Sequence, residues 1–146
     1  MIAIIEIRNP EDLNTAWAIR KEVFVVEQAC AEDIEWEFEE ESTHFLAYLN
    51  GEAVGTARYR STEKGIKLER FAVLKHARNK GVGAALVQRL LNELAPRTEM
   101  RYLHAQLTAA GLYAKFGFKP TGPNFWEADI EHVKMVWRRE SMEHGA

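Results

Sequence analysis

The sequence predicts an α/β (α+β) chain in which a central mixed, largely antiparallel sheet carries helices on both faces. Three observations predict it. Asn50-Gly51 separates two segments rich in apolar and β-branched residues, the mark of a tight hairpin. Between positions 66 and 94 a short apolar strand passes through a glycine-bearing turn into an amphipathic helix. Near the end, Val133, Met135 and Trp137 recur at the two-residue period of a strand.

In chain order, residues 1–7 form a first strand, stopped by Asn9-Pro10. Pro10-Glu11-Asp12 then starts a helix, because proline fits the first helical position and acids favour the positive end of the helix dipole. Its apolar stripe, Leu13, Ala16, Trp17, Ile19, Arg20, Val23 and Phe24, runs to about Glu27. Residues 44–49 and 53–60 are the two hairpin strands, and Lys64-Gly65 turns the chain into a central strand. Phe71, Ala72, Val73 and Leu74 form a continuous apolar run of the kind buried on both faces. Leu86/Val87, Leu90/Leu91 and Leu94 repeat at four-residue spacing, opposite Gln88, Arg89, Asn92 and Glu93. Residues 100–106 read as a fifth strand and 108–116 as a short helix with Thr108 as its N-cap. Gly117-Phe118 ends that helix and starts a sixth strand, and residues 132–137 close the sheet.

Composition bounds the function. A chain of 146 residues fits one domain, 1–146, that buries roughly 70% of its unfolded surface. A net charge of −3 argues against a nucleic-acid binder, which shows a basic excess or stripe. The single cysteine, Cys30, makes neither an internal disulfide nor a thiolate cage, so a reducing cytoplasm is the expected setting. Glu6 and Arg8 near the start argue against a signal peptide. No apolar run approaches the ~20 residues of a membrane helix. The last residues, RESMEHGA, read as a frayed end.

Arg78-Asn79-Lys80-Gly81-Val82-Gly83 lies where the central strand meets its helix. The first N–H groups of a helix lack intrahelical partners, and the peptide dipoles put partial positive charge there. Two glycines permit positive φ and the close approach of a ligand, while Arg78 and Lys80 add formal charge. The junction is therefore an anion site, most naturally for phosphate or pyrophosphate. It is not a P-loop, since Ala84-Ala85 follows Gly83 where Lys-Ser or Lys-Thr is needed. It is a poor dinucleotide fingerprint, since Leu86 occupies the third glycine position.

Strand, then Arg78-x-x-Gly81-x-Gly83, then helix resembles the acetyl-CoA-binding motif of the GNAT superfamily of N-acetyltransferases. A second match follows about thirty residues on, where Tyr113-Ala114-Lys115-Phe116-Gly117-Phe118 looks like that superfamily's Tyr-x-x-x-Gly-Phe segment. Ile19-Arg20-x-x-Val23-Phe24-Val25-Val26-Glu27-Gln28, Thr43-His44-Phe45-Leu46, Gly55-Thr56-Ala57-Arg58, Glu69-Arg70-Phe71-Ala72-Val73 and His132-x-x-Met135 are similar to the small ElaA-like branch. The sheet is then expected to be GNAT-like. Gln106 stands where many members carry Asn, and the acidic loop after Cys30 lacks the branch's aromatic and Asp-Gly pattern.

The resemblance implies an acetyl-CoA-dependent N-acetyltransferase. It would move acetyl to a primary amine of a small molecule or peptide by direct attack in a ternary complex. It also implies that main-chain atoms of Phe71, Ala72 and Val73 hold the pantetheine arm like an added strand. The N–H groups of Arg78, Asn79, Lys80, Gly81, Val82, Gly83 and Ala84 would wrap the pyrophosphate, and Gln106 would touch the cofactor lightly. Tyr113 would be the general acid that protonates the departing thiolate. Glu69, on the strand face shared with Lys67, Phe71 and Val73, is a candidate general base or a structural carboxylate beside Arg70. A non-catalytic acyl-CoA sensor is the alternative reading, and a homodimer is compatible with so short a chain.

The segment 32–41 holds seven acids in ten residues and reads either as a negative rim for a cationic amine or as a solvated loop. Ile34, Trp36 and Phe38 alternate with the acids, so one side is suited to pack as a lid or in a dimer. His44 and His132 read as hydrogen-bonded structural histidines near the acceptor side, and His76 and His104 as incidental. No histidine pair has metal-site spacing, so no metal is expected. Cys30 lacks a neighbouring base and reads as a half-buried thiol.

Overall fold

A computed structural model describes residues 1–29 and 38–138. Cys30, positions 32–37 of the acidic segment and the tail 139–146 lie outside the described residues. One seven-stranded sheet organises the molecule, in the spatial order β1-β2-β3-β4-β5-β7-β6. The strands are β1 (Ile2–Glu6), β2 (Thr43–Leu49), β3 (Glu52–Thr62), β4 (Gly65–Val73), β5 (Arg101–Gln106), β6 (Lys119–Glu127) and β7 (Ile130–Trp137). All neighbours pair antiparallel except β4 and β5, which pair in parallel. That mixed, largely antiparallel sheet is the expected one.

Helix α1 (Pro10–Arg20) covers one face. The Asn9 side chain caps it by accepting from the Asp12 N–H at 2.8 Å. Ala16, Ile19 and Val23 bury against Leu46 and Ala72. The helix does not end at Arg20 but widens into a π-helical segment, Lys21–Glu27. Its i→i−5 bonding continues to Gln28, whose N–H donates to Val23 at 3.1 Å. The apolar stripe ends where expected, and the π-helical segment packs against β4 in the middle of the sheet.

Helix α2 (Val82–Glu93) covers the other face. Val82, Leu86, Val87, Leu90 and Leu94 are fully buried against Phe45, Val54, Ala57 and Leu68. Each such side chain contributes about 1.5–3 kcal/mol relative to exposure, so packing rather than propensity holds this helix. A short helix α3 (Ala110–Ala114) follows a 3₁₀ turn, Leu107–Ala109. Thr108 lies inside that turn and caps nothing: α3 starts from Ala109 without a side-chain cap.

Two irregularities position the site. The first is a bulge in β4. Arg58 pairs with Glu69 and Thr56 with Ala72, so β4 spends three residues where β3 spends two. The extra residue is taken up at Arg70, whose φ is +57°. The bulge inverts the strand's alternation. Ile66 and Leu68 face the α2 core before it, and Phe71 and Val73 face that core after it. Glu69 and Lys67 therefore do not share a face with Phe71 and Val73, contrary to the two-residue period of the sequence.

The second irregularity is the parting of β4 from β5. Pairing covers only Ile66↔Arg101 and Lys67↔Tyr102. Beyond that point the parallel strands part, and among the described residues the β5-facing edge of β4 has no strand partner. A cleft opens between them.

Candidate active site

The cleft has a volume of about 370 Å³, within the range of small-ligand sites. Its wall includes Glu69, Phe71, Ala72 and Val73 of β4, Gln106 of β5, Tyr113 of α3 and Arg78. These seven sequence-predicted residues thus meet in one place. Asn79, Lys80, Gly81, Val82, Gly83 and Ala84 do not line the cleft. They form the turn and the first helical turn directly after Arg78.

That turn has the geometry of an anion cradle. Asn79 and Gly81 both take left-handed φ, +61° and +88°, on either side of Lys80, and alternating backbone hand gathers N–H groups into a concavity. Among the described residues no side chain caps α2, and its first intrahelical donor bond runs from Ala85 to Gly81 at 3.0 Å. The N–H groups of Val82, Gly83 and Ala84 are left for a ligand. Gly83 is helical, so only Gly81 uses the conformational freedom anticipated for both glycines. At Gly83 the missing Cβ leaves room instead, with Leu112 the nearest side chain at 3.3 Å.

Arg78 is engaged by the protein itself. Its guanidinium forms a bidentate pair with Glu27 at 2.6 and 2.7 Å, and Nε donates to the Val73 carbonyl at 2.9 Å. Its backbone N–H donates to Lys75 at 3.3 Å, so the free donors start after Arg78 rather than at it. Gln106 donates to Gln28 at 3.1 Å. The π-helical end of α1 is thereby tied to both sides of the cleft. Sequence reasoning had no means to pair positions 51 and 78 residues apart.

Tyr113 is buried, with its ring edge-on to Phe71 (centroids 5.4 Å apart) and to Phe118 (6.2 Å). Burial pushes its phenol above the ordinary value of 10, so it stays protonated over the working range.

Glu69 sits in a buried ion network. Its Oε2 accepts from Arg58 Nε at 2.8 Å and Arg60 Nε at 2.9 Å, and Lys67 Nζ is 3.3 Å from Oε1. Burial raises its pKa, but Arg58, Lys67 and Arg60 overcome that and hold it at about 2. Arg58 also meets Glu39 at 3.0 Å, and Glu39 further takes Arg20 and the Trp17 indole N–H. At the described end of the acidic segment Glu39 turns inward and Phe38 lies under the Arg60 guanidinium at 3.8 Å, while Glu40 and Glu41 stay exposed.

The network yields a prediction. Glu69 has a folded pKa below its ordinary 4.5, so its contribution is present above about pH 4.5 and is lost as pH falls toward 2. The shift corresponds to on the order of 3 kcal/mol. Glu69→Gln should cost a similar amount at pH 7 and flatten the acid limb of stability, as followed by urea unfolding across pH. Equal stability of the two proteins at pH 7 would show that the network contributes nothing net.

Sequence reasoning missed Gln28, Lys67, His104 and Glu127, which also line the cleft, and favoured a structural role for His132 while placing it near the acceptor side. Period-two alternation links His104 to Gln106, but only the order β5-β7-β6 brings Glu127 near either histidine. His44 lies outside the cleft wall, with Nε2 3.0 Å from the Glu39 carbonyl, and burial lowers its pKa. His76 is exposed beside Glu52. Among the described residues, no group of three or more His, Cys, Asp or Glu side chains could hold a metal, and no helix is long and apolar enough to cross a membrane.

A parted parallel strand pair, a buried phenol on the wall of the cleft it opens and an uncapped glycine helix start just after Arg78 make a site suited to a small ligand that carries an anionic group. The chain belongs to the GNAT acetyltransferase family: the model described as "Acetyltransferase (GNAT) domain" matches residues 9–139. A Bacillus subtilis (strain 168) protein named as an acetyltransferase is 38% identical over 143 residues, covering 93% of this chain and 96% of that one. Among solved structures, an acyl-CoA N-acyltransferase from Pseudomonas aeruginosa superposes with a TM-score of 0.79 at 25% identity, over 94% of this chain and 98% of that one. Escherichia coli ElaA superposes with a TM-score of 0.82 at 24% identity over 94% and 100%, so the likeness to the ElaA-like branch extends to the fold. The chain is an acetyltransferase, with acetyl-CoA as the cosubstrate of its family.

Proposed function

We propose that this protein transfers acetyl from acetyl-CoA to a primary amine of a small molecule or peptide, by direct attack within a ternary complex. The observation that carries the reading is the cleft in which the edge of β4 meets the Tyr113 phenol and at whose border Arg78 leads into the uncapped start of α2. Backbone groups of Phe71, Ala72 and Val73 bind the pantetheine arm as an added strand. The turn from Asn79 to Ala84 binds the pyrophosphate, with Arg78 and Gln106 at the borders of the cleft. When bound, acetyl-CoA supplies the activated acyl group.

Tyr113 delivers a proton to the departing sulfur. The burial that raises the phenol also raises the basicity of a thiolate formed beside it, so the transfer stays matched. Glu69 suits a fixed-charge role better than that of general base. A carboxylate held at about 2 keeps a proton poorly, and its oxygens already take three cations.

The test is thiol release from acetyl-CoA with spermidine, kanamycin, free amino acids and a lysine-bearing peptide as acceptors. Release that depends on an amine, with acetylated product in the mass spectrum, is expected. Thiol release at one slow rate whatever the amine would count against transfer.

A further inference from the structure

Three adjacent strands bring a polar cluster to the cleft that the transfer chemistry above leaves unused. His104 comes from β5, Glu127 from β6 and His132 from β7, and all three line the cavity. Because β7 lies between β5 and β6, His132 pairs with Gln106 on one side and with Phe125 on the other. The Phe125 ring stacks on His132 (centroids 5.7 Å apart, 22° between planes) and meets His104 edge-on at 5.0 Å. One aromatic side chain therefore fixes both imidazoles.

The tautomer of His132 is set by its surroundings. Its side chain is 8% exposed, and Nδ1 is 2.6 Å from the Ile130 carbonyl oxygen. A carbonyl only accepts, so Nδ1 carries the proton and Nε2 of the neutral ring holds the lone pair. Nε2 stands 3.8 Å from Glu127 Oε2, and the same oxygen is 3.8 Å from His104 Nδ1. His104 beside it holds the Glu127 carboxyl below the usual range, so that oxygen bears negative charge at neutral pH. The other charged groups about the ring are Lys67 and Glu69 of β4 and Lys134 of its own strand. Lys67 and Glu69 pair with each other at 3.3 Å, and the Lys134 ammonium lies over Tyr102 at 5.2 Å. Glu69, by contrast, has both oxygens taken by cations.

We infer that His132 Nε2 is the proton acceptor for the amine, with the Glu127 carboxylate beside it stabilising the imidazolium that forms. The inference rests on the transferase reading above. An ammonium acceptor loses two protons as the new C–N bond forms and the thioester C–S bond breaks. His132 takes the first and passes it to solvent. The second restores the Tyr113 phenol after Tyr113 has protonated the sulfur, so protons and charge balance.

The test compares wild type with His132→Gln in three measurements. Acetyl-CoA affinity by calorimetry should agree within about twofold. Turnover with the best acceptor among spermidine, kanamycin and the lysine peptide should fall by about 10²–10⁴-fold, the usual worth of a positioned base. Long-range ¹⁵N–¹H correlation spectra of the wild type should show His132 protonated at Nδ1, its signal being the one absent from the variant. Turnover within tenfold of wild type at unchanged affinity would overturn the inference, as would an Nε2–H tautomer. The tautomer is read on wild-type protein without acceptor, and where His132→Gln folds poorly His132→Phe supplies the assignment by difference, so the reading still decides. Failure of every amine with wild type would instead count against the transferase reading.

Discussion

Tyr113→Phe is expected to lower kcat for acetyl transfer by about 10²–10³-fold while leaving acetyl-CoA affinity and fold nearly unchanged. The magnitude follows from the worth of a positioned general acid. The selectivity follows from the packing. The ring is held by Phe71 and Phe118 through its edges and faces, and phenylalanine keeps both contacts. What is lost is one proton at the point where sulfur leaves. Wild-type activity should also show no alkaline loss from Tyr113 below pH 10, because burial raises that phenol. The comparison is a pH series of kcat for both proteins beside a binding isotherm. A protein that merely sensed acyl-CoA would respond to this substitution in neither measurement, and an effect confined to affinity would remove Tyr113 from the chemistry.

Gly83→Val is expected to weaken acetyl-CoA binding at least 100-fold in Kd, in a protein at least as stable as wild type. The direction of the stability change is the informative part. Gly83 is helical, and valine is a better helix residue than glycine by a few tenths of a kcal/mol. The nearest obstacle to a Cβ is the flexible end of Leu112 at 3.3 Å. Folding therefore tolerates the side chain, whereas an anion that approaches the first helical turn meets two added methyl groups. Gly81→Val serves as the contrast. There φ is +88°, and a β-branched residue costs about 1–2 kcal/mol in the left-handed region, so stability and binding fall together. Thermal unfolding and calorimetry on both variants separate the two roles. A Gly83→Val protein with normal affinity would move the pyrophosphate elsewhere.

These outcomes depend on features that differ in how far the chain advertises them. Local chemistry was plain: Asn50-Gly51 takes left-handed φ at both positions, and Pro10 with Asn9 starts α1. The strand, glycine turn and helix between β4 and α2 form as their periodicities require. Where the backbone departs from its period without glycine or proline to mark it, the sequence was silent. Arg70 adopts φ +57° and turns the rest of β4 over, so Glu69 and Phe71 were assigned to one face when they lie on two. Ala128 and Asp129 make the β6–β7 turn at φ +51° and +61° with no Asn-Gly signature.

Side chains that meet across strands were the other gap. The partners that hold Glu69 at low pKa come from register, Arg58 opposite it and Arg60 two residues on, and register is a property of the assembled sheet. His104, Glu127 and His132 are widely separated in sequence, and only the insertion of β7 between β5 and β6 joins them. The place of Tyr113 on the cleft wall was thus readable from its motif, whereas the groups around it were not.

The parted β4–β5 edge and the bare start of α2 are expected to bind acetyl-CoA. Calorimetric titration of the purified protein with acetyl-CoA, beside free CoA and ATP, tests it most directly. Saturable micromolar binding of acetyl-CoA, with none of ATP at the same concentrations, is the predicted result. A folded protein that gives no heat with acetyl-CoA, or that binds ATP equally well, would contradict it.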